Sequence, residues 1–504
     1  MPPPVDVLVV ALYFGVLACL AAYGAHRAYL VYLYTTGRRR PVVPSASADP
    51  AGAFLPRVTV QLPVYNEMYV VERLIDAVGA LRYPRDRLDV QVLDDSTDET
   101  SRIVDDAVRR WRARGLAISC LRRPTRAGFK AGALAAGLHA ARGELIAIFD
   151  ADFVPPPGFL EQAVPLFRAE AVGMVQARWG HRNRRDSLLT RVQALLLDAH
   201  FVLEHGARHR GGCFFNFNGT AGIWRREAIV SAGGWQHDTL TEDLDLSYRA
   251  QLAGWRFVFV PDVVAPAELP VEMNAFKSQQ HRWAKGSIQT CRKLLPRVLR
   301  APLPLRVRVE SAFHLTANFN YLLVLAWSAL VVPALFARSS AGGWWLWLDA
   351  PIFGAAGLAA VVFYTLSQRE VGGDWLARVR DIPALAALGL GMSINNALAV
   401  LEALAGRPGG FARTAKYGPL AASGAWTGTR YRRAAVVQPL VELACGVYFT
   451  VAVGCALALG VLAPVPVLVL CQLGFFYAGC LSLAQQRAAA EAAWQAEAAG
   501  GSAP

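Results

Sequence analysis

The sequence predicts an α/β domain with a mostly parallel sheet, inserted between transmembrane α-helices. Of the 504 residues, 54% are hydrophobic and only 18% are charged. The mean hydropathy is +0.30, and long apolar runs lie near both ends of the chain, as in membrane proteins. Between about residues 56 and 300, strand-like and helix-like patterns alternate, which is typical of βαβ units.

Residues 1–36 are predicted to form a retained transmembrane helix. Their apolar run is too long for the core of a signal peptide, and the basic residues follow it instead of preceding it. Because Arg38, Arg39 and Arg40 stand directly after the run, the positive-inside rule places the next segment in the cytoplasm. We therefore expect residues 56–300 to form a cytoplasmic domain. The Arg- and Ala-rich composition favours a bacterial inner (plasma) membrane.

Residues 301–484 are predicted to form transmembrane and interfacial helices, followed by a tail at 485–504 that is a short helix or disordered. Each expected span has close to the roughly 20 residues that cross the hydrocarbon core of a bilayer. These spans are 311–336, 345–366, 436–460 and 462–482.

The stretch 384–405 is apolar but contains two asparagines, a serine and a glutamate. If it crossed the membrane, the loop 406–433, which carries five arginines and a lysine, would lie outside the cell. The positive-inside rule favours a cytoplasmic loop. We therefore interpret 384–405 as an interfacial or re-entrant segment.

Charge and motif content exclude several classes of function. The formal net charge is +13, but the basic residues do not form one cluster, so nucleic acid is not an expected partner. Anionic membrane lipids and phosphorylated substrates remain. No CxxC pair, GxGxxG, GxSxG or P-loop motif occurs, which argues against a zinc site, a dehydrogenase, an esterase and a nucleoside triphosphatase.

Acidic residues follow two of the predicted strands. Residues 88–93 form a strand pattern before Asp94 and Asp95, and residues 144–149 form one before Asp150 and Asp152. Ligands of parallel sheets bind beyond the carboxyl ends of the strands. Two carboxylates at such an edge can share a hard divalent cation that also binds phosphates. The alternatives are a solvated turn for the second pair and an N-cap for the first.

A third acidic group opens a predicted helix. Thr241 is a candidate N-cap, and Glu242 and Asp243 follow in the first turn, where the helix dipole favours an ionised carboxylate. Such a group at a cleft is a candidate general base for an attacking hydroxyl. The alternative is simple helix capping.

A helix face and a glycine turn add cationic and aromatic groups. Gln279, Arg282 and Trp283 stand at i, i+3 and i+4, so they share one face of a helix. Arg can neutralise a leaving diphosphate, and Trp offers a flat surface on which a sugar ring stacks. The alternative is an interfacial helix that anchors to lipid head groups. Lys130 lies after Gly128 near an expected phosphate position.

In this order and spacing, the four patterns resemble those of the family 2 inverting glycosyltransferases. The resemblance covers about residues 56–300 and includes the opening stretch 63–67. Among subfamilies, the chain is most similar to processive membrane β-glycan synthases of the cellulose synthase-like A and C type and their bacterial relatives. The stretches that carry this closer similarity are 217–222, 232–235 and 279–283.

The resemblance implies a GT-A-like fold, a nucleotide-diphosphate sugar as donor (UDP-glucose favoured, GDP-mannose possible), and Mg²⁺ or Mn²⁺. It implies a donor-binding set, a metal pair and a catalytic set. The donor-binding residues would be Pro63, Tyr65, Glu67, Asp94, Asp95, Lys130 and Asp150. The metal pair would be Asp150 and Asp152, and the catalytic residues would be Asp243 as the base, Glu242, Gln279, Arg282 and Trp283. The stretch 411–416 resembles a gating loop of cellulose synthases, with Arg413 where that family usually has Val.

Two hypotheses explain why such a domain is attached to membrane helices. In the first, the acceptor is a growing β-linked polysaccharide, which the helices export along a path lined by groups such as Trp283, Asn318 and Asn320. In the second, one sugar is transferred to a lipid such as ceramide or a polyprenyl phosphate. The QxxRW pattern favours the first. A transporter or sensor with an inactive transferase domain is disfavoured, because the expected carboxylates are all present.

Overall fold

A computed structural model describes residues 4–37, 54–341, 348–407, 409, 414, 416–418 and 437–498. A seven-stranded sheet, with strands between Val58 and Ala267, forms the centre of the domain that follows helix α1, Pro4–Gly37. Its strands lie in the order β3-β2-β1-β4-β6-β5-β7. They are β1 Val58–Val64, β2 Leu88–Asp94, β3 Ala117–Leu121, β4 Leu145–Ile148, β5 Val172–His181, β6 Gly222–Arg225 and β7 Arg256–Ala267.

The sheet is mostly parallel, as the sequence predicts. Strand β1 pairs in parallel with β2 and β4, and β2 with β3. Strand β6 pairs antiparallel with β4 and β5, and β5 pairs in parallel with β7. Every residue of β1 except Pro63 is buried, as expected of a central strand that is covered on both faces. The ends of β1, β2 and β4 therefore meet at one edge of the sheet.

Helices cover both faces of the sheet. The helix α3 shows why they do so: Val104, Ala107 and Val108 stand at i, i+3 and i+4 and are buried, so one stripe of the helix packs on the sheet. The α-helices between residues 54 and 300 are α2 Val71–Gly79, α3 Thr100–Ala113, α4 Phe129–Ala140, α5 Phe159–Ala163, α6 Leu188–Ala199, α7 Gly206–Gly211, α8 Arg226–Ser231, α9 Glu242–Leu252 and α10 Met273–Arg300.

Helix α1, Pro4–Gly37, and a C-terminal group of helices flank the domain. The C-terminal helices are α11 Leu305–Thr316, α12 Asn320–Ala341, α13 Asp349–Val371, α14 Trp375–Val379, α15 Ile382–Gly391, α16 Ser393–Leu404, α17 Val437–Ala458 and α18 Val465–Ala498.

Five helical segments of the described chain are long and apolar enough to cross a membrane: Val5–Gly37, Leu305–Ser339, Asp349–Val371, Val437–Ala458 and Val465–Glu491. The helical segments Trp375–Gly391 and Ser393–Leu404 are apolar enough only when they are taken together, and they meet at an angle of 43°. Together they are either a broken span or a re-entrant segment. The expectation for 384–405 therefore stays a prediction. One boundary differs from the sequence analysis: α18 continues through residue 484 to Ala498, because the Ala-, Glu- and Gln-rich tail is composed of strong helix formers.

Candidate active site

A cavity of about 480 Å³ opens at the sheet edge where β1, β2 and β4 end, and it reaches the helices α11, α12 and α13. Twelve of the thirteen site residues expected from the sequence line it. These residues are Pro63, Tyr65, Glu67, Asp95, Lys130, Asp150, Asp152, Glu242, Asp243, Gln279, Arg282 and Trp283.

Asp94, the thirteenth, does not line this cavity. It is buried, with 2% of its surface exposed. Its carboxylate accepts hydrogen bonds from the Arg122 guanidinium at 2.9 Å and from the Ser96 amide at 3.0 Å. Of the two acidic residues after β2, the structure brings Asp95 to the cavity, because neighbouring residues of an extended chain point to opposite sides. Asp94 therefore holds the loop behind the cavity wall.

The end of the cavity near β1 combines a ring, a guanidinium and a carboxylate. The guanidinium carbon of Arg126 lies 3.4 Å from the centre of the Tyr65 ring. Asp95 accepts a hydrogen bond from Arg123 at 3.1 Å, and Arg123 also donates to the carbonyls of Ala127 and Phe129. An aromatic ring and hydrogen-bonding groups of this kind suit a nucleoside.

The carboxylates of Asp150 and Asp152 are each paired with a lysine. Lys130 Nζ lies 2.5 Å from Asp150 Oδ1, and Lys416 Nζ lies 2.7 Å from Asp152 Oδ2. Burial raises the pKa of Asp150; Lys130 opposes this rise and Asp152 adds to it. Burial alone lowers the pKa of Lys130, but Asp150 and Glu242 outweigh it, and the net direction is upward.

This pair of carboxylates has the donor chemistry of a divalent metal site. Carboxylate oxygens are hard ligands suited to Mg²⁺ or Mn²⁺, which also take ligands from water and substrate phosphates. Among the described residues, no group of three or more His, Cys, Asp or Glu side chains is placed to hold a metal ion. Two carboxylates leave coordination positions open for water and substrate phosphates, so Asp150 and Asp152 fit an ion that completes its coordination with the substrate.

Gly219 brings the metal side of the cavity close to the third acidic group. Its φ is +81°, and a Cβ at this position would lie 3.0 Å from Asp243 Oδ2 and 3.3 Å from Lys130 Nζ. The Gly219 carbonyl accepts a hydrogen bond from Lys130 at 2.9 Å. Only glycine fits this backbone conformation and this close approach without strain.

Asp243 stands in the first turn of α9, as predicted. Its Oδ1 accepts a hydrogen bond from the Leu244 amide at 2.8 Å. Burial, together with the charge of Glu242, raises the pKa of Asp243 to about 7, and burial also raises the pKa of Glu242. A carboxylate with a pKa near neutral is suited to accept a proton at physiological pH.

Thr241 is the N-cap residue of α9, as predicted, but its side chain makes no capping hydrogen bond. Its Oγ1 lies 3.2 Å from the Thr290 hydroxyl of α10 instead. The reason is close packing of the two helices: a Cβ on Gly286 would lie 2.6 Å from Thr241 Cγ2. Helix α10 thus rests directly on the residue before Glu242.

Gln279, Arg282 and Trp283 all line the cavity from α10, which confirms that they share one face of a helix. The charge of Arg282 opposes the rise in pKa that burial causes at Asp150 and Glu242. Helix α10 thus places the Arg282 guanidinium near the carboxylates of Asp150 and Glu242.

The far wall of the cavity is formed by the π-helical turn His200–His205 and by the segment from α11 to α13. Of this wall, the sequence analysis named only Asn318, which lines the cavity, and Asn320, which does not. A signal exists for more of it: His314, Asn318 and Tyr321 stand at i, i+4 and i+7 in an apolar segment, a polar stripe along one helix face. The other residues of this wall include His200, Glu204 and Tyr364.

Several polar atoms near this wall have no hydrogen-bond partner among the described residues. Asn218 Nδ2 lies 2.9 Å from His200 Nε2, and His200 Nδ1 lies 2.8 Å from Glu204 Oε2. The other amide atom, Asn218 Oδ1, is buried without a partner, as are Asn216 Oδ1 and Trp179 Nε1. Buried polar atoms are normally satisfied, so these three are suited to the hydroxyls of a bound sugar.

The expected gating stretch lies partly outside the described residues, namely Phe411, Ala412, Arg413 and Ala415. Thr414 and Lys416 are described and line the cavity. Besides its contact with Asp152, Lys416 donates a hydrogen bond to the Glu268 carbonyl, and the Gly418 amide donates to the Glu268 carboxylate at 3.1 Å. The described part of this segment therefore packs against the Asp152 side of the cavity.

Comparison with known proteins agrees with this geometry. Residues 56–286 match the model of a family described as "Glycosyltransferase like family 2". The chain is 43% identical over 272 residues to "Probable glucomannan 4-beta-mannosyltransferase 10" of Arabidopsis thaliana, covering 53% of this chain and 49% of the relative. It is 39% identical over 319 residues to "Glucomannan 4-beta-mannosyltransferase 1" of Oryza sativa subsp. japonica, covering 59% and 60%. The chain thus spans about half the length of the curated relatives it matches.

A solved structure has the same fold. A mannosyltransferase from Pyrobaculum calidifontis, in complex with GDP-Man and Mn²⁺, superposes with a TM-score of 0.52 at 23% identity and covers 79% of this chain and 100% of its own. At this identity the likeness concerns the fold, and it confirms the expected GT-A-like arrangement of the sheet.

Proposed function

We propose that this protein transfers a hexose from a nucleotide-diphosphate sugar to a growing β-linked polysaccharide. The match of residues 56–286 to the model described as "Glycosyltransferase like family 2" supports this proposal. The observation that carries the proposal is the convergence of Asp95, Asp150, Asp152, Asp243 and Arg282 on one cavity. These residues come from distant parts of the chain, and together they supply what an inverting sugar transfer needs.

The donor that we propose is a nucleotide-diphosphate mannose. The sequence analysis favours UDP-glucose, but the similar plant proteins are named as β-mannosyltransferases. GDP-mannose, the ligand bound in the fold neighbour, is therefore the first donor to test and UDP-glucose the second. Tyr65, Arg126 and Asp95 would hold the nucleoside, because they form the ring, cation and acceptor at one end of the cavity.

Asp150 and Asp152 would hold the divalent ion, and Lys130 would stay beside the diphosphate. When bound, the ion supplies a positive charge that stabilises the departing diphosphate. Lys130 and Arg282 add fixed cations that line the same cavity, which lowers the cost of negative charge that develops on the leaving group.

Asp243 would act as the general base. Its carboxylate takes the proton of the acceptor hydroxyl while that oxygen forms a bond to the anomeric carbon. The bond from this carbon to the diphosphate breaks on the opposite side, so an α-linked donor gives a β-linked product and a free nucleoside diphosphate. The raised pKa of Asp243 matches a base that works near neutral pH.

Trp283 and the far wall would hold the acceptor. The indole ring of Trp283 suits the apolar face of a sugar ring, and the unpartnered amide oxygens of Asn216 and Asn218 suit its hydroxyls. The cavity reaches α11, α12 and α13, and all three belong to candidate membrane spans. The product would therefore leave the cytoplasmic catalytic domain toward the membrane, and we propose that the helices export it.

The test is a screen of labelled GDP-mannose, UDP-glucose and other nucleotide sugars with the purified full chain in nanodiscs. The expected product is a polymer that a linkage-specific mannanase or glucanase degrades, and Asp243→Asn provides the matched inactive control. An extractable glycolipid in place of a polymer would overturn the polysaccharide acceptor. The absence of transfer from every donor would overturn the function itself.

A further inference from the structure

A buried ion pair lies behind α10, the helix that carries Gln279, Arg282 and Trp283. Lys277 Nζ is 2.5 Å from Glu442 Oε2, and the two side chains are 4% and 0% exposed. Glu442 belongs to α17, a candidate membrane span. An ionisable residue inside a span is costly, so its presence indicates a role.

The pair is part of a network that joins four helices. Lys277 Nζ also donates to the Ser482 hydroxyl of α18 at 2.8 Å. The amide of Gln438 donates to Glu442 Oε1 at 3.1 Å and to Asn395 Oδ1 of α16 at 3.0 Å, and Asn395 Nδ2 donates to the Lys277 carbonyl at 3.0 Å. Both carboxylate oxygens and the ammonium therefore have partners, as a buried charge pair requires.

A second anchor lies two turns farther along the same face of α10. Lys285 Nζ is 2.8 Å from Glu402 Oε2 of α16, and His281 Nε2 is 3.5 Å from the same atom. Residues 277, 281 and 285 are spaced by four, so they form one stripe of the helix. This stripe faces α16 and α17 through its carboxylate partners.

The cavity residues stand on the other side of α10. At about 100° per residue, Gln279 lies about 200° from Lys277, and Arg282 and Trp283 lie on either side of that direction. Helices α16 and α17 therefore contact the face of α10 that carries Lys277 and Lys285. The opposite face, which carries Gln279, Arg282 and Trp283, lines the cavity. A small shift or rotation of α10 on its back face moves all three cavity residues together.

We propose that Lys277 and Glu442 are positioning residues, a clamp between α10 and the membrane helices that sets where Gln279, Arg282 and Trp283 stand in the cavity. This inference rests on the proposed transfer function, since it assigns those three residues to the leaving group and the acceptor. The clamp touches neither substrate and acts only through the placement of α10.

The clamp predicts a specific pattern of loss. Asp95, Asp150 and Asp152 follow strands of the sheet and do not depend on Lys277, so the donor Kd is expected to change much less than kcat when the clamp is broken. The acceptor and leaving-group contacts depend on α10. A displacement on the order of 1 Å at a reacting group can lower turnover about 100-fold, so we expect kcat to fall at least about tenfold and the KM for the acceptor to rise.

The experiment compares Glu442→Gln with Asp349→Asn in the full chain. Asp349 pairs with Arg338 at 2.8 Å, and the two side chains are as buried as the clamp, but neither residue lines the cavity. Both substitutions leave a buried cation without its carboxylate, so both lower the Tm in detergent. Only Glu442→Gln is expected to lower kcat per folded molecule. Equal kcat in the two variants would overturn the clamp and leave a purely structural ion pair.

The double variant Lys277→Met with Glu442→Gln separates charge burial from positioning. Removal of both charges relieves the unpaired cation, so the Tm is expected to recover, while kcat stays low because α10 keeps only the second of its two anchors, Lys285 with Glu402. Recovery of both quantities would contradict the proposal.

Hydrogen exchange of peptides from residues 273–290 gives a readout that does not need activity. Exchange is expected to rise in Glu442→Gln and not in Asp349→Asn; equal protection in both would also overturn the clamp. If the wild-type chain transferred no sugar, the proposed function would fail, and hydrogen exchange would still decide whether the clamp holds α10.

Discussion

The cavity has two walls of different construction. The sheet-edge wall consists of short segments after β1, β2 and β4, and its charges are paired: Asp95 with Arg123, Asp150 with Lys130, and Asp152 with Lys416. The helical wall is formed by the turn His200–His205, by α10, and by helices that belong to candidate spans. It offers more rings and amides than the sheet-edge wall does.

The difference indicates which substrate each wall suits. A diphosphate with its cation needs fixed charges that a rigid sheet holds in place, since such charges stabilise a leaving group without reorganisation. A neutral sugar needs flat surfaces and hydrogen-bond partners. Asp243 stands where the walls meet, because Gly219 brings its carboxylate close to Lys130. Variants on each wall can therefore test this division.

The largest effect is expected where the walls meet. In Asp243→Asn, the side chain keeps its size but no longer accepts a proton, so transfer is expected to fall by on the order of 10³-fold. Donor binding is expected to persist, because the sheet-edge wall is intact. Turnover with labelled donor and the donor Kd are measured on the same preparation. Transfer within a factor of about ten of the wild type would remove Asp243 from the role of base.

Removal of the metal is expected to affect the sheet-edge wall alone. Chelation should lower transfer by on the order of 100-fold, and added Mn²⁺ or Mg²⁺ should restore it. In Asp152→Asn, one carboxylate ligand is lost, and the metal concentration for half-maximal transfer should rise about tenfold or more. A titration of transfer against metal concentration checks both. Full activity in the chelator would contradict the assignment of Asp150 and Asp152.

The two walls also differ in how much of them the sequence predicts. Asp150 and Asp152 are predictable because strand ends of a parallel sheet lie at one edge, so a local pattern determines their place. Tyr364 is not, because helix packing between distant segments brings it to the cavity. The sequence does not show which of Asp94 and Asp95 lines the cavity, since neighbouring residues of a strand point to opposite sides. The hydrogen bond from Arg122 shows that Asp94 points away from the cavity.

Helix contacts limit prediction in the same way elsewhere. Thr241 stands at the N-cap of α9, but close packing at Gly286 turns its hydroxyl toward Thr290 instead of toward the helix amides. Lys277 and Glu442 are 165 positions apart, and no spacing rule joins them. The fold class and the acidic clusters therefore follow from the sequence, whereas the acceptor wall and its supports require the structure.

The pH dependence of turnover tests the junction between the walls more finely. A base works in its ionised form, and burial and Glu242 raise the pKa of Asp243 to about 7. The ionised fraction falls about tenfold for each pH unit below that value, so kcat/KM, which reports the pKa of the free enzyme, should fall with the same slope on the acid side. Donor binding measured at each pH serves as the control. A flat kcat/KM between about pH 5.5 and 8 would contradict the assignment of this carboxylate as the base.

The smallest effect is expected on the helical wall. Trp283→Ala removes one ring but leaves Gln279, Arg282 and the amides of the far wall in place. Stacking on an aromatic ring contributes roughly 0.5–1.5 kcal/mol beyond buried area, so the KM for the acceptor should rise by up to about tenfold while the donor Kd stays unchanged. Trp283→Phe, which keeps a ring, should recover most of this loss. Arg282 is the contact that α10 makes with the leaving diphosphate in this proposal. If Trp283→Ala weakened donor binding as much as acceptor binding, the ring of Trp283 would also contact the donor, and its assignment to the acceptor would be wrong.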